Sequence, residues 1–125
     1  MSIQRFEELM VWQDARKFTG IIYKMTSTDP FKKDSGLKTQ IQRAAVSVMS
    51  NIAEGFELDN NKELIRFLHY SKGSIGEVRS LLCVALDLSY LSQEEFLRRE
   101  ESAIAISKQL ANFIKYLRTR ILKKR

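Results

Sequence analysis

The sequence predicts an all-α fold, an antiparallel up-down-up-down four-helix bundle. Apolar residues recur at alternating steps of three and four along most of the chain, which is the period of helices buried on one face. The 125 residues include only five glycines and one proline, which are fewer turn-forming residues than an all-β chain requires. Short loops between long helices force antiparallel neighbours, so residues 1–125 are expected to form a single four-helix-bundle domain.

The first helix is predicted over about 7–27 and the second over about 36–56. Their apolar seams are Val11, Ala15, Phe18, Ile22 and Met25, then Leu37, Ile41, Ala44, Val48 and Ile52. Gly20 in the first helix costs about 1 kcal/mol relative to alanine, which predicts that a neighbour approaches it closely. Gly55 is expected to let the second helix end.

The third and fourth helices are predicted over about 61–90 and 93–122. Their seams are Leu64, Leu68, Ser71, Ile75, Val78, Leu82 and Ala85, then Ala103, Ser107, Leu110, Ile114, Leu117 and Ile121. Asn60 and Ser92 each precede a glutamate by three residues, the pattern of a capping box. Gly73 and Gly76 give the third helix a smooth patch that another backbone can approach.

The positive charge is concentrated at the C-terminal end. Residues 108–125 hold seven of the 21 lysines and arginines and no acidic residue, whereas the first 107 residues carry 14 basic and 15 acidic residues. One interpretation is phosphate contact, with candidate residues Lys115, Arg118, Arg120, Lys123, Lys124 and Arg125. The other is a solvated helix end whose cations complement the helix dipole.

A polar row lies beside the apolar seam of the second helix. It consists of Gln40, Arg43, Ser47, Asn51 and Glu54, and Glu77 on the third helix is a candidate partner. Polar groups that border a core are normally hydrogen-bonded or solvated. The row is therefore a network that fixes helix register, a contact between subunits, or a ligand site.

Motifs for catalysis, metal or cofactor binding are missing from the sequence. His69 is the only histidine, so neither a paired Glu-x-x-His set nor a zinc set can form. Cys83 lies in an apolar run and is expected to be a buried, reduced thiol. No stretch reaches the roughly 18 apolar residues of a membrane span, and no signal region begins the chain. A non-enzymatic cytoplasmic protein without cofactors is expected.

The sequence also resembles a family of bacterial four-helix-bundle proteins encoded by intervening sequences in 23S ribosomal RNA genes. The resemblance covers nearly the whole chain and rests on Phe6, Leu9, Val11, Trp12, Ala15, Gly36, Leu37, Gln40, Ile41, Arg43, Ala44, Ala45, Ser47, Asn51, Ile52, Ala53, Glu54, Gly55, Phe67, Leu68, Gly73, Ser74 and Glu77. Met49 departs from it, because the family often has proline there, and a straighter second helix is expected.

The resemblance implies a four-helix bundle that assembles as a homo-oligomer, a pentameric ring. Accessory proteins of diversity-generating retroelements are similar and bind nucleic acid and a reverse transcriptase. Two hypotheses for function follow. The first is an oligomeric accessory protein that binds RNA or DNA through its basic C-terminal helix, repeated around the ring. The second is a scaffold that recruits a protein partner, with no nucleic acid involved.

Overall fold

The computed structural model describes residues 3–123, and their side chains as far as residue 120. Four α-helices follow one another: α1 Met10–Thr26, α2 Ser35–Glu57, α3 Asn61–Asp87 and α4 Gln93–Lys123. Short 3-10 helices precede α1 and α2, at Phe6–Glu8 and Phe31–Lys33, and the described residues form no strand. Each helix packs on the next and α4 packs on α1, so the predicted all-α four-helix bundle is confirmed.

Side-chain caps begin three of the helices. Asp34 accepts a hydrogen bond from the backbone N–H of Leu37 at the start of α2 (3.1 Å), and Asn60 caps α3 in the same way through Glu63 (3.0 Å). Ser92 accepts from the N–H of Glu95 in the first turn of α4 (3.1 Å). These bonds satisfy N–H groups that have no partner within their own helix, so they fix where each helix starts.

The third helix ends three residues earlier than the sequence predicts, at Asp87 instead of residue 90. Ser89 adopts a left-handed backbone with φ of 62°, and the N–H of Tyr90 donates to the carbonyl of Ala85 (2.8 Å). This pair of features is the usual C-terminal turn of a helix, which normally places glycine at the left-handed residue. The turn was missed in the sequence because serine occupies that position.

The core is a continuous apolar column contributed by all four helices. Its fully buried members include Ile22, Ile41, Ile52, Leu68, Ile75, Leu82 and Leu110. Two fully buried hydroxyls bridge or cap backbone carbonyls within this column. Ser71 donates to the carbonyl of Val48 across the α2–α3 contact (2.6 Å), and Thr26 donates to that of Ile22 (2.8 Å). Each buried hydroxyl therefore avoids the penalty of an unsatisfied polar group.

Gly55 packs closely against α3, and the sequence-based predictions for Gly55 and Gly20 are corrected here. Gly55 does not end α2 but lies inside it, and a Cβ there would come within 2.7 Å of the Cβ of Phe67 on α3. Gly20, for which a close neighbour was expected, has no atom within 4 Å of the place a Cβ would take. Gly73 and Gly76 are equally open within the chain.

Cys83 is exposed, which contradicts the predicted burial. Within the apolar run that surrounds it, Leu81, Leu82 and Ala85 face the core. Successive residues of a helix are rotated by about 100°, so the run cannot be buried on all sides. Cys83 and Val84 therefore point to the solvent side of α3.

Candidate functional site

The described basic residues at the end of α4 face solvent. Lys115, Arg118 and Arg120 are all exposed. Among the other candidates for phosphate contact, the side chain of Lys123 and the whole of Lys124 and Arg125 lie outside the described residues. The three described cations occupy the last turns of α4, where the helix dipole favours positive charge.

These three cations have no carboxylate partner in the described part of the chain. The ion pairs there join Arg5 to Glu7, Arg66 to Glu63, Arg98 to Glu94 and Arg99 to Glu95. Arg118 instead donates through Nη2 to the Nε2 of His69 (3.1 Å), and the guanidinium of Arg120 lies 5.6 Å from the ring centre of Tyr116. Their positive charge is thus uncompensated, which is the electrostatic requirement for meeting an anionic polymer.

The neighbouring helix adds residues that the sequence did not single out. His69 and Lys72 lie one turn apart on α3, and the antiparallel packing of α3 on α4 brings them to Arg118 and Ser107. Lys72 donates through Nζ to the hydroxyl of Ser107 (3.4 Å). Only the pairing of helices reveals this extension, because 35 to 49 residues separate the partners in sequence.

Arg66 lies one turn before His69 on α3, but its guanidinium is already hydrogen-bonded within the chain. Its guanidinium donates to the carboxylate of Glu63 and to the hydroxyl of Tyr70, and the bond to Glu63 raises the pKa of Arg66 above its ordinary value. A cation paired in this way gains less from a phosphate than an unpaired one. Arg66 is therefore excluded from the candidate set.

The polar row of α2 divides between two environments. Gln40, Arg43 and Ser47 line a groove of about 490 Å³ together with Glu77 of α3. Ser47 also belongs to a small network, in which Asn51 donates to its carbonyl (2.8 Å) and Ser74 of α3 donates to its hydroxyl (2.9 Å). Glu54 is exposed and lies outside that groove.

Three members of the row, and their candidate partner on α3, have side chains without a hydrogen bond or ion pair in the described part of the chain. They are Gln40, Arg43, Glu54 and Glu77, all exposed. Within the row, only Ser47 and Asn51 form side-chain hydrogen bonds among the described residues. The unpaired side chains are therefore in contact with solvent.

Exposed apolar side chains lie on the same outer surface of the α2–α3 pair. Tyr70, Val84 and Leu88 are each at least 41% exposed, and Glu77 lies midway between the first two. Tyr70 and Val84 are 14 residues apart and lie on one face of α3, and Leu88 directly follows the last turn of that helix. We call this face, with the unpaired part of the polar row, the α2–α3 surface.

In residues 3–120, no group of three or more His, Cys, Asp and Glu side chains is placed to hold a metal ion. The contact of His69 is with a permanently charged guanidinium, not with a nucleophile. None of the helices in the described range is long and apolar enough to cross a membrane.

Comparison with known proteins identifies the family of this chain and a solved structure with a similar fold. Residues 7–112 match the profile of the 23S rRNA-intervening sequence proteins. The fold is similar to a crystal structure from Bacteroides thetaiotaomicron, described as a protein with unknown function from the S23 ribosomal protein family. That similarity has a TM-score of 0.78 at 22% identity and covers 85% of this chain and 99% of the other. No curated protein matches significantly, and neither description names an enzymatic activity.

Proposed function

The chain belongs to the family of 23S rRNA-intervening sequence proteins, and from that premise we propose that it is a non-enzymatic, oligomeric accessory protein that binds RNA or DNA. The binding surface is the basic end of α4, with Lys115, Arg118 and Arg120 as phosphate contacts. Lys123, Lys124 and Arg125 follow in the sequence and are proposed as further phosphate contacts, although they lie outside the described side chains. The family membership confirms the resemblance detected in the sequence.

The observation that carries this proposal is the uncompensated charge of α4. Lys115, Arg118 and Arg120 are exposed and have no carboxylate partner in the described part of the chain, while the acidic residues lie in the first 107 positions. A cation that binds a phosphate releases condensed counterions, so each unpaired cation strengthens binding at low salt. His69 of α3 lies beside Arg118 and broadens the surface, while Lys72, one turn further along α3, contacts Ser107 of α4.

Oligomerisation is the second part of the proposal, and the pentamer remains the expected size. Several copies of one basic end on a single particle raise the effective concentration of each for a polymeric ligand. The α2–α3 surface is the interface that we assign to the assembly, because it combines exposed apolar residues with unpaired polar groups. We place the protein in the cytoplasm, since an exposed free thiol such as that of Cys83 persists in a reducing compartment.

The test compares two charge variants with the intact protein. One replaces Lys115, Arg118 and Arg120 by glutamine, and the matched control replaces the exposed Lys24, Lys32 and Lys33, at the opposite end of the bundle. Fluorescence anisotropy with a structured RNA and a duplex DNA is followed across a salt series. We expect steep salt dependence for the intact protein and the control. The α4 variant should have a slope shallower by about 0.9 per lost contact to duplex phosphate.

Light scattering must first establish that all three proteins have the same mass. An intact protein that binds neither nucleic acid at low salt contradicts the proposal. Equal salt slopes for the α4 variant and the control variant also contradict the proposal, because binding would then depend on the net charge of the protein and not on where the cations lie. The salt series thereby separates a localised phosphate surface from general attraction of a basic protein.

The scaffold hypothesis stays as the second candidate, and the exposed apolar part of the α2–α3 surface favours it. Apolar contacts are insensitive to salt, so a protein partner held there would remain bound in a salt series that removes nucleic acid. Under this hypothesis the α4 variant keeps its partner. A Val84→Arg variant loses it.

A further inference from the structure

A shallow pocket opens between the start of α1 and the C-terminal half of α4. Its volume is about 290 Å³, and it is lined by Leu9, Met10, Val11, Gln109, Asn112 and Phe113. The pocket lies on the side of α4 that faces α1, whereas Arg118 faces α3. It is therefore adjacent to the basic surface but separate from it.

The walls of the pocket are apolar and incompletely covered. Met10 is 69% exposed, and Leu9 and Phe113 are half-buried. Water in contact with this much apolar surface is displaced favourably by a flat apolar ligand, at about 25 cal/mol for each Å² that becomes buried. The pocket is thus suited to receive the face of a planar group.

Two amides supply polar groups at the edge of the pocket. Gln109 donates through Nε2 to Asp14 (2.8 Å), which orients the amide, and its carbonyl oxygen has no donor among the described residues. The side chain of Asn112 is exposed and has no hydrogen bond there. An amide offers both a donor and an acceptor, the combination that pairs with the edge of a nucleobase.

An aromatic ring and a cation follow the pocket residues on the same face of α4. Gln109, Asn112 and Phe113 share a helix face with Tyr116 and Arg120, because steps of three and four residues return to the same side. Tyr116 is 54% exposed and carries the guanidinium of Arg120 at 5.6 Å from its ring centre. The stripe therefore runs from amides through aromatic rings to a cation.

We propose that this stripe is a stacking platform for unpaired nucleotides, with Tyr116 and the pocket receiving bases and Arg120 receiving a phosphate. The inference rests on the proposed function and narrows its ligand to single-stranded segments of RNA or DNA. The faces of bases are covered in a duplex and become available only where a strand is unpaired. The amides bind the exposed base edges.

The test measures binding to a single strand and to a duplex of the same sequence, as RNA and as DNA. Tyr116→Ala is compared with Tyr116→Phe, which keeps the ring. The matched control is Tyr23→Ala, because Tyr23 is an exposed tyrosine on a different helix, α1. We expect Tyr116→Ala to weaken single-strand binding by roughly 5- to 150-fold, the usual loss when one stacked base loses its partner. Duplex binding and the salt slope should not change.

The outcomes separate this inference from the function on which it rests. Single-strand binding unaffected by Tyr116→Ala, in a protein that still binds with a steep salt slope, overturns the platform and leaves the phosphate surface in place. An equal loss for both duplexes and single strands overturns it as well. If the intact protein binds no nucleic acid at low salt, both proposals fail, and an apolar group of a protein partner becomes the better occupant.

The final requirement is that the conservative variant, Tyr116→Phe, retains single-strand binding. Tyr116→Phe must bind single strands within about twofold of the intact protein, because stacking depends on the ring and not on the hydroxyl. A Tyr116→Phe variant as weak as Tyr116→Ala would point to the hydroxyl and overturn stacking. Circular dichroism and light scattering on every variant ensure that folding and assembly are unchanged.

Discussion

At the residue scale, Gly55 lies at a close contact between α2 and α3. A Cβ at this position would lie 2.7 Å from the Cβ of Phe67 and 3.3 Å from the Cα of Leu64. Neither neighbour is the free end of a flexible side chain, so the helices themselves would have to separate. We predict that Gly55→Ala lowers the free energy of unfolding by about 1–3 kcal/mol, the usual range for an overpacked core.

Denaturant unfolding measures this change, and Gly20→Ala is the control. Gly20 is helical and exposed, with no atom near the added methyl, so alanine there should stabilise the protein by about 0.5–1 kcal/mol. The two substitutions are chemically identical and differ only in their surroundings. A Gly55→Ala variant as stable as the Gly20→Ala variant would contradict the close packing.

Cys83 provides a second prediction at this scale. Its side chain is exposed on α3, so a thiol reagent should modify one cysteine per chain in the native protein, without denaturant. The rate of modification in the native protein should approach the rate in the unfolded chain, because an exposed thiol reacts without any prior unfolding. Absorbance at successive times checks this. Modification only at the rate of unfolding would mean that the thiol is covered.

At the scale of elements, one contact joins the loop after α3 to the start of α2. The hydroxyl of Tyr90 donates to the Oδ2 of Asp34 (3.0 Å), while Oδ1 of the same carboxylate caps α2 through the N–H of Leu37 (3.1 Å). The hydrogen bond to Asp34 raises the pKa of Tyr90 above its usual value of about 10. One carboxylate thus fixes both a helix start and a distant loop.

A dependence on pH follows from this contact. The folded pKa of Tyr90 is higher than the unfolded one, so the bond's contribution to stability is full below a pH of about 10 and is lost as the pH rises through the folded pKa. We predict that Tyr90→Phe is destabilised relative to the intact protein at pH 8 and that the difference shrinks above pH 10. Unfolding midpoints across this range measure the effect.

The control for this prediction is Tyr23→Phe. The hydroxyl of Tyr23 has no hydrogen bond in the described part of the chain, and its side chain is exposed. The difference in stability between this variant and the intact protein should be small and the same at each pH. A difference for Tyr90→Phe that does not vary with pH would show that lost packing against Phe31, and not the hydrogen bond, explains the change.

At the scale of the whole molecule, the bundle presents chemically different surfaces on different helix pairs. The α3–α4 side holds the basic residues around Arg118, the α1–α4 side holds the pocket beside Tyr116, and the α2–α3 surface holds unpaired polar and apolar groups. A helix has several faces, and the bundle buries only one of them. The proposed assembly and the proposed ligand therefore use different helix pairs.

This separation predicts that assembly and nucleic-acid binding can be altered independently. Val84→Arg places a charge on the α2–α3 surface and should reduce the mass of the assembly toward the 14.5 kDa of one chain. Leu97→Arg is the control, because Leu97 is also exposed but lies on α4. Light scattering measures both. Equal masses for the two variants, or a single chain in the intact protein, would contradict the assigned interface.

The sequence by itself determined the fold class and the family. The three-and-four spacing of apolar residues sufficed for four helices, and caps such as Asn60 and Ser92 gave their starts, because both are local properties of the chain. The charge of α4 was also visible in the sequence. The unusual left-handed Ser89 was not, so the end of α3 was placed three residues too late.

Tertiary structure alone decided what each helix face contacts. Gly20 is open and Gly55 is crowded, Cys83 is exposed despite its apolar neighbours, and His69 joins the basic end across the α3–α4 contact. The same holds for the pocket beside Asn112, which forms from residues about 100 positions apart in sequence. A periodic pattern identifies which face of a helix is buried, but the neighbour that covers it depends on how distant helices pack.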